Sequence, residues 1–289
     1  MLEQAKAEPL DEFWEKTAFQ RIKTMLHEKA GLDCSGYRDE YLRRRFEIRL
    51  RATGANSYGK YLIYLRKNPD ELNNLLNDLT INFTMFFRDM DVYNYLEHVL
   101  LPKLFQTSHN IKIWSAGCAT GEEPYSLAIL VHKVLKHRIH NYWVTIIASD
   151  IDRDALAKAG KGEFHEKQLS NLDSSTLNEF FTKNQDNYLI KANLKKLIHF
   201  EQVDLMTPSL HTNVDLILCR NVMIYFSRES QQKIHMNFYN SLRNGGYLIT
   251  GKSEILTGEP ATKFISVDNL ARVYQKGSEL KNKSNILLV

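Results

Sequence analysis

The chain has only 3 cysteines in 289 residues, Cys34, Cys118 and Cys219. They are too few and too scattered for a disulfide framework, and no CxxC spacing points to a metal. No stretch approaches the roughly 18 uninterrupted apolar residues that a membrane-crossing helix needs. The first residues, Met1-Leu2-Glu3-Gln4, lack the basic-then-apolar pattern of a secretory signal. A reducing cytoplasm is therefore the expected setting. Charge of one sign is also scarce: 38 Lys and Arg against 34 Asp and Glu leave +4, too mild by itself to imply nucleic-acid binding. No internal repeat or low-complexity stretch is visible. Apolar residues at 43% and charged residues at 25% describe an ordinary globular chain, twice the length of a typical single domain.

The first hundred residues read as helical. Asp11 to Glu28 spaces Phe13, Trp14, Ala18, Ile22, Met25 and Leu26 along one helical face. Tyr41 to Arg51 sets Leu42, Phe46 and Leu50 four apart, and Tyr58 to Leu65 and Leu72 to Leu79 continue the pattern. Turn-like pieces separate them at Gly31-Leu32-Asp33, Gly54 to Ser57 and Asn68-Pro69-Asp70.

From Ile111 the texture changes to apolar strands alternating with helices. Strands are expected at Ile111 to Trp114, Trp143 to Ala148, Val214 to Cys219, Gly246 to Thr250 and Ala271 to Gln275. Helices are expected from Pro124, through Ala155 and Ala159, and over Glu229 to Leu242. Continuous apolar strands of this kind argue for a parallel sheet covered on both faces. Between Phe164 and Phe200 the alternation lapses. A polar helix, the apolar pieces Tyr188-Leu189-Ile190 and Leu197 to Phe200, and a tight turn at Asn184 to Asn187 read as an inserted lobe.

Open parallel sheets bind ligands at the carboxyl ends of their strands, where the strand order reverses. Three strings fall at such ends. Gly117-Cys118-Ala119-Thr120-Gly121 is not GxGxxG and has no GKS or GKT ending. Glu122 and Glu123 follow it, where a phosphate would be repelled and a cationic ligand favoured. A plain strand-to-helix turn with acids at the helix N-terminus is the competing account. Asp150 closes the second strand, where an acid can accept from both hydroxyls of a ribose or simply cap the next helix; Asp152 leaves room for one acid in each role. Cys219-Arg220-Asn221-Val222-Met223-Ile224-Tyr225 sets a cation, an amide and a phenol just past a buried strand, as a cleft lining or an ordinary polar loop. A fourth string, Asn82-Phe83-Thr84-Met85-Phe86-Phe87-Arg88, alternates polar and aromatic residues before the sheet begins; on pattern alone it reads as a core helix.

Together these strings resemble the chemotaxis receptor glutamate methyltransferases of the CheR type. The match rests on Asn82 to Arg88, Trp114 to Ser126, Ala148 to Asp152 and Cys219 to Phe226, in the right order, within a likeness from about Phe19 to Lys276. The resemblance implies an α/β fold: a Rossmann-like S-adenosylmethionine-dependent methyltransferase sheet, an N-terminal all-helical domain and a small inserted antiparallel β lobe. The helical domain would span 1–80, a linker and helix contributing to the cofactor site 81–110, and the methyltransferase domain 111–289, with the lobe at about 164–200.

The cofactor implied is S-adenosylmethionine, leaving as S-adenosylhomocysteine. By the resemblance its pocket would use Asn82, Thr84, Arg88, Gly117, Glu123, Asp150, Asp204, Leu205, Arg220 and Asn221, with Asp150 on the ribose and Asp204 and Leu205 beside the adenine. The implied reaction methylates receptor glutamates. A carboxylate, with its ordinary pKa of about 4.3, is already ionised near neutral pH, so no general base is needed. What remains is in-line approach at roughly 3–3.5 Å. Arg88 would place the glutamate and Tyr225 would border the methyl. A related methyltransferase acting on a non-chemotaxis protein or a small molecule is the alternative.

Arg38 to Arg51 holds six arginines against Asp39, Glu40 and Glu47. A solvated basic face is the commoner meaning of such a run. Arg43, Arg44, Arg45 and Arg49 could also dock the acidic methylation helices of a receptor cytoplasmic domain. The short Asn184 to Asn187 turn, where some family members carry a longer glycine-containing loop that grips a receptor pentapeptide, marks this chain as tether-independent. A monomer without nucleic-acid binding or membrane insertion completes the expectation. Cys118 and Cys219 are read as packing residues, and no metal is expected.

Overall fold

The computed structural model describes residues 8–80 and 83–277, which fall into two compact units. The first holds the N-terminal helices and the short segment Tyr225–Ser227; the second holds the rest.

In the first unit, helices α1 (Glu8–Ala30), α2 (Asp39–Thr53), α3 (Tyr58–Lys67) and α4 (Glu71–Leu79) share one core. The helical spacing delivers Ala18, Phe19, Ile22 and Leu26 from α1, Leu42 and Phe46 from α2, Tyr61, Leu62 and Leu65 from α3, and Leu75 and Leu79 from α4, all buried. Phe19 and Phe46 meet with ring centroids 5.2 Å apart. Ser57 starts α3 by accepting the Lys60 N–H at 3.2 Å. The segment Tyr225–Ser227 lies against the start of α2. Arg38 N–H donates to the Tyr225 carbonyl at 3.0 Å, Ser227 N–H donates to the Gly36 carbonyl at 2.9 Å, and the Tyr41 and Tyr225 rings sit 4.8 Å apart.

The second unit opens with α5 (Met90–Tyr95), which runs through a π-helical turn at Leu96–Leu100 into α6 (Leu101–Thr107). Then come β1 (Asn110–Ala116), α7 (Glu122–Leu135), β2 (Trp143–Asp150), α8 (Arg153–Lys161), β3 (Glu163–His165), α9 (Ser174–Phe180), β4 (Phe181–Asn184), β5 (Asn187–Ile190), α10 (Ala192–Lys195) and β6 (Ile198–Gln202). The chain ends with β7 (Val214–Cys219), α11 (Arg228–Ser241), β8 (Leu242–Thr250), α12 (Glu259–Lys263), β9 (Phe264–Asp268) and β10 (Val273–Lys276). A seven-stranded sheet runs β6-β2-β1-β7-β8-β10-β9, with β6 to β8 parallel and β10 antiparallel to both its neighbours, β8 and β9. Every residue of β7 is buried, as a strand covered on both faces requires. The strand order reverses between β1 and β7, which makes the carboxyl ends of those two strands the switch point. Among the described residues no helix is long and apolar enough to cross a membrane.

Three sequence expectations differ from this picture. The lobe is the three-stranded antiparallel sheet β3-β5-β4, and it ends at Ile190. The Ile198 to Phe200 run, assigned to the lobe on the sequence, instead belongs to β6, which pairs in parallel with β2 from Ile146↔Ile198 to Asp150↔Gln202. Its apolar run is short enough to suit either sheet, and only pairing with β2 decides. The expected strand Ala271 to Gln275 starts at Val273 and is antiparallel, inserted between β8 and an unforeseen edge strand, β9. The Arg88 string is not a core helix either: residues 83–89 form a turn in which Phe87 and Asp89 take left-handed φ values of 51° and 61°.

Candidate active site

Gly117 to Gly121 leaves β1 and bends toward β2. The Gly117 and Cys118 N–H groups both donate to the Ser149 carbonyl, at 2.8 and 2.9 Å, and Ala119 N–H donates to Asp150 Oδ2 at 2.8 Å. At Gly117, φ is +82°, and a Cβ would stand 2.5 Å from Val222 Cγ2. Only glycine lets the loop after β1 close on the loop after β7. Asp150 Oδ1 takes the Asp152 N–H at 3.0 Å, while Asp152 caps α8 by accepting from Asp154 and Ala155 N–H at 2.8 and 3.0 Å. The two acids have divided the work: Asp152 is the helix cap, and Asp150 faces the loop.

Glu122 and Glu123 occupy the first turn of α7, where the helix dipole favours negative charge. Glu122 is buried and takes Thr120 Oγ1 at 2.7 Å and the Gln168 amide of the lobe at 2.9 Å. Glu123 accepts from the Ser115 hydroxyl at 2.8 Å and from Arg220 at 3.4 Å. The Arg220 side chain is 2% exposed. Its second amino group donates to the Arg88 carbonyl at 2.7 Å and to Asp89 Oδ2 at 2.5 Å, and its guanidinium lies 5.6 Å from the centre of the Tyr93 ring. This buried cation therefore joins the turn before α5, the start of α7 and the end of β7.

Burial pushes the carboxyls of Glu123 and Asp150 above their ordinary values. Arg220, Ser115 and Arg88 partly counter this for Glu123, and the N–H groups of Asp152 and Ala119 do so for Asp150. Burial also opposes the charge on Arg220, but Tyr93, Glu123 and Asp89 outweigh it and hold its pKa above the usual arginine value. Two polar atoms at this edge have no hydrogen-bond partner among the described residues: Arg220 Nε and Asn221 Oδ1, both buried. Natural proteins rarely orphan such atoms away from a ligand.

Arg88 is half-buried, donates to the Phe83 carbonyl at 3.0 Å and stacks 5.5 Å over the exposed Phe83 ring. Thr84 is half-buried in the same turn, and Asn82 lies outside the described residues. Asp204 and Leu205 follow β6; the Val203 N–H beside them donates to the Asp150 carbonyl at 3.0 Å, which sets this loop against the end of β2. Tyr225 belongs to the helical unit, in the segment that Arg38 holds. Cys118 and Cys219 are buried free thiols whose pKa values burial pushes well up, which suits packing residues and not nucleophiles. Sequence reasoning passed over Asp89, Ser115 and Tyr93. Asp89 directly follows the Arg88 string, but its partner lies 131 residues away.

On α2 the arginines part company. Arg49, expected among the docking arginines, is instead turned onto two acids of α4, with its side chain 17% exposed. Its Nε and one amino group make a bidentate pair with Glu71 at 2.8 Å each, and the other amino group reaches Asp78 at 3.2 Å. Arg45 is half-buried over the Tyr41 ring, whereas Arg43 and Arg44 are exposed, the former 4.5 Å over Phe19.

Residues 82–271 match the family described as "CheR methyltransferase, SAM binding domain", and residues 17–80 match "CheR methyltransferase, all-alpha domain". The chain is 33% identical over 225 residues to a "Chemotaxis protein methyltransferase" of Listeria innocua, covering 78% of this chain and 84% of that protein. The protein of the same name from Escherichia coli is 31% identical over 244 residues, with 82% and 83% covered. That from Borreliella burgdorferi is 30% identical over 260 residues, with 86% and 92% covered. With acids and a buried arginine gathered at the switch point of a parallel sheet, and with both family domains matched in order, this chain belongs to the CheR methyltransferase family.

Proposed function

We propose that the protein transfers a methyl group from S-adenosylmethionine to glutamate side chains of chemotaxis receptors, giving glutamyl methyl esters. The observation that carries this reading is Glu123, its side chain only 12% exposed, held by Ser115 and Arg220 at the carboxyl edge of the sheet, in a chain whose sheet domain matches the cofactor-binding family.

The residues present suit that cofactor. The close approach at Gly117 leaves the backbone bare, the orphaned Asn221 Oδ1 is a buried acceptor suited to an ammonium group, and two acids favour a cation where a phosphate would be repelled. In this assignment Asp150 accepts from the ribose hydroxyls, Asp204 and Leu205 border the adenine, and Glu123, Arg220, Asn221 and Thr84 hold the methionine end. Asn82 is assigned with Thr84 on sequence alone. When bound, the cofactor supplies a methyl group on a positively charged sulfur.

The side chains have to align the acceptor and keep water away. Arg88 offers a guanidinium fork for the incoming carboxylate, and its bond to the Phe83 carbonyl leaves other donors of that fork available. The attraction must stay moderate, because the acceptor's negative charge fades as the ester forms and a tight ion pair would favour the ground state. No residue has to remove a proton. Tyr225, five residues after Arg220 in the chain, is assigned the hydroxyl that borders the methyl.

Arg43 and Arg44, exposed on α2, are assigned to docking the acidic receptor helices. The two-residue hairpin at Gln185-Asp186, with Asn184 and Asn187 paired, supports a tether-independent member. We assign the protein to the cytoplasm as a monomer.

Radiolabelled S-adenosylmethionine with receptor-bearing membranes tests the reading. Label should enter the receptor and leave on mild base, as an ester does. No label, or base-stable label, overturns it. Arg88→Ala and Tyr225→Phe should each slow transfer; full turnover in both removes those two roles. Calorimetry with a receptor C-terminal pentapeptide should show no heat, and micromolar binding overturns tether independence.

A further inference from the structure

The sheet delivers two turns side by side at its carboxyl edge. β7 ends at Cys219 and β8 at Thr250, and these two residues are partners in parallel register. The turn after β7, Arg220 to Ile224, carries the orphaned Asn221. The turn after β8, Gly251 to Leu256, contributes nothing to the site as assigned above. Strands that end together leave backbone N–H groups beyond the last rung of the ladder, and buried N–H groups need partners.

One side chain supplies them. Glu254 is 5% exposed. Its Oε2 accepts from Asn221 N–H at 2.9 Å and from Gly251 N–H at 2.7 Å, and its Oε1 accepts from Ile224 N–H at 3.3 Å. Its own carbonyl takes the Thr250 hydroxyl at 2.8 Å, and its N–H donates to the Gly251 carbonyl at 2.9 Å. The carboxylate thus closes its own turn and grips the neighbouring one at both ends. The grip holds Asn221 at φ 60°, a left-handed conformation that asparagine accepts more readily than most residues and that the two bonds to Glu254 fix in place. Gly251 makes the grip possible: a Cβ there would stand 2.5 Å from Glu254 Oε2 and 2.8 Å from Asn221 N. Among the described residues no cation pairs with this carboxylate, so backbone dipoles alone stabilise it. A buried anion held that way makes directed, charge-assisted bonds, stronger than those of a neutral amide.

We propose that Glu254 is a positioning residue: it fixes the Arg220–Ile224 turn so that Asn221 presents its buried acceptor to the cofactor. The inference rests on the methyl-transfer reading for its consequence, though not for its geometry. Glu254 itself touches no reacting atom.

Three measurements on the full chain test it. Hydrogen exchange over residues 220–224 reads the turn directly, without any reaction. Glu254→Gln should speed it while leaving β1 and β7 protected, and unchanged exchange overturns the proposal. Calorimetry with S-adenosylhomocysteine should show affinity reduced roughly tenfold, the loss expected for hydrogen bonds to a buried charge. Steady-state methylation should show a lower kcat with the receptor KM altered less than threefold, because Arg43 and Arg44 make no bond to this turn among the described residues. A Glu254→Gln variant that merely melts earlier, yet binds and turns over like the wild type when folded, overturns positioning in favour of a structural clamp. Gly251→Ala pushes the same contact from the other side and should produce the same pattern, which keeps the test open if Glu254→Gln does not fold. Lys252→Ala, which breaks the exposed Lys252–Asp91 pair of 2.8 Å on the same turn, should change none of these readouts. Should the wild type bind the product analogue but methylate no receptor, the proposed reaction falls, while exchange and calorimetry still decide the role of Glu254.

Discussion

Two arginines, one in each unit, each pair with two acids, and they differ in how completely they are used. Each of the three guanidinium nitrogens of Arg49 bonds Glu71 or Asp78, while Tyr61 and Asn74 satisfy the rest of Glu71 at 2.9 and 3.1 Å. Burial raises the Glu71 carboxyl pKa, but Arg49, Asn74 and Tyr61 together bring it below the ordinary value. Arg220 meets two acids as well, yet its Nε and the neighbouring Asn221 Oδ1 stay unpartnered, and the acid beside it, Glu123, sits above its ordinary pKa. Residue types alone do not separate the two clusters. Saturation does: a network with every group paired stabilises a fold, and one with buried groups left over is set to receive something.

Mutations can break this contrast. The largest effect is expected from Arg220→Ala. It strands Glu123 and Asp89 and should lower methyl transfer about 100-fold, matching the roughly 3 kcal/mol lost when a buried charge loses its partner. A methylation assay decides it, and near-wild-type turnover would erase the distinction. Next, Arg49→Leu should cost about 3 kcal/mol of stability by orphaning Glu71, read by denaturant unfolding, with the affinity for S-adenosylhomocysteine unaltered in the folded protein.

A pH series sharpens the comparison further. Glu123 and Asp150 must be ionised to hold a cation and ribose hydroxyls, and burial raises both pKa values. Affinity should therefore fall on acidification while the pH is still above the ordinary carboxylate range of about 4. Stability runs the other way for such groups: it is fully present below the unfolded pKa and lost as the pH rises through the folded one. Asp150→Asn should accordingly gain thermal stability relative to the wild type as pH rises through that window, while binding the product analogue more weakly. The smallest effect is expected on α2. Charge reversal at Arg43 and Arg44 should slow receptor methylation several-fold at low salt and little at high salt, with cofactor affinity unchanged.

What could be read from the chain alone follows from how local each signal is. Val214–Cys219 announces itself because a strand covered on both faces has no polar alternation to hide it. Glu123, Asp150 and Arg220 are conspicuous because charge immediately after an apolar strand demands a reason. The place of residues 198–200 in the main sheet is not legible, because an apolar run says nothing of its partner, and here the partner is β2. β9 escaped notice because, as an edge strand, it leaves Ile265 and Val267 facing outward, 43% and 42% exposed. Asp89 and Glu254 were missed because each acts on a loop more than thirty residues away. The setting of Arg49 is not legible in sequence, because a basic helix looks the same whether its charges face water or two acids from α4.

The return of β6 to the main sheet has an engineering consequence. The lobe is spliced between α8 and a strand that β2 grips over five consecutive partner positions, so the ladder beside Asp150 does not depend on what the hairpin carries. The Gln185-Asp186 tip is accordingly a permissive site for grafting foreign sequence, and a longer finger installed there could give the enzyme a new address without retuning its chemistry.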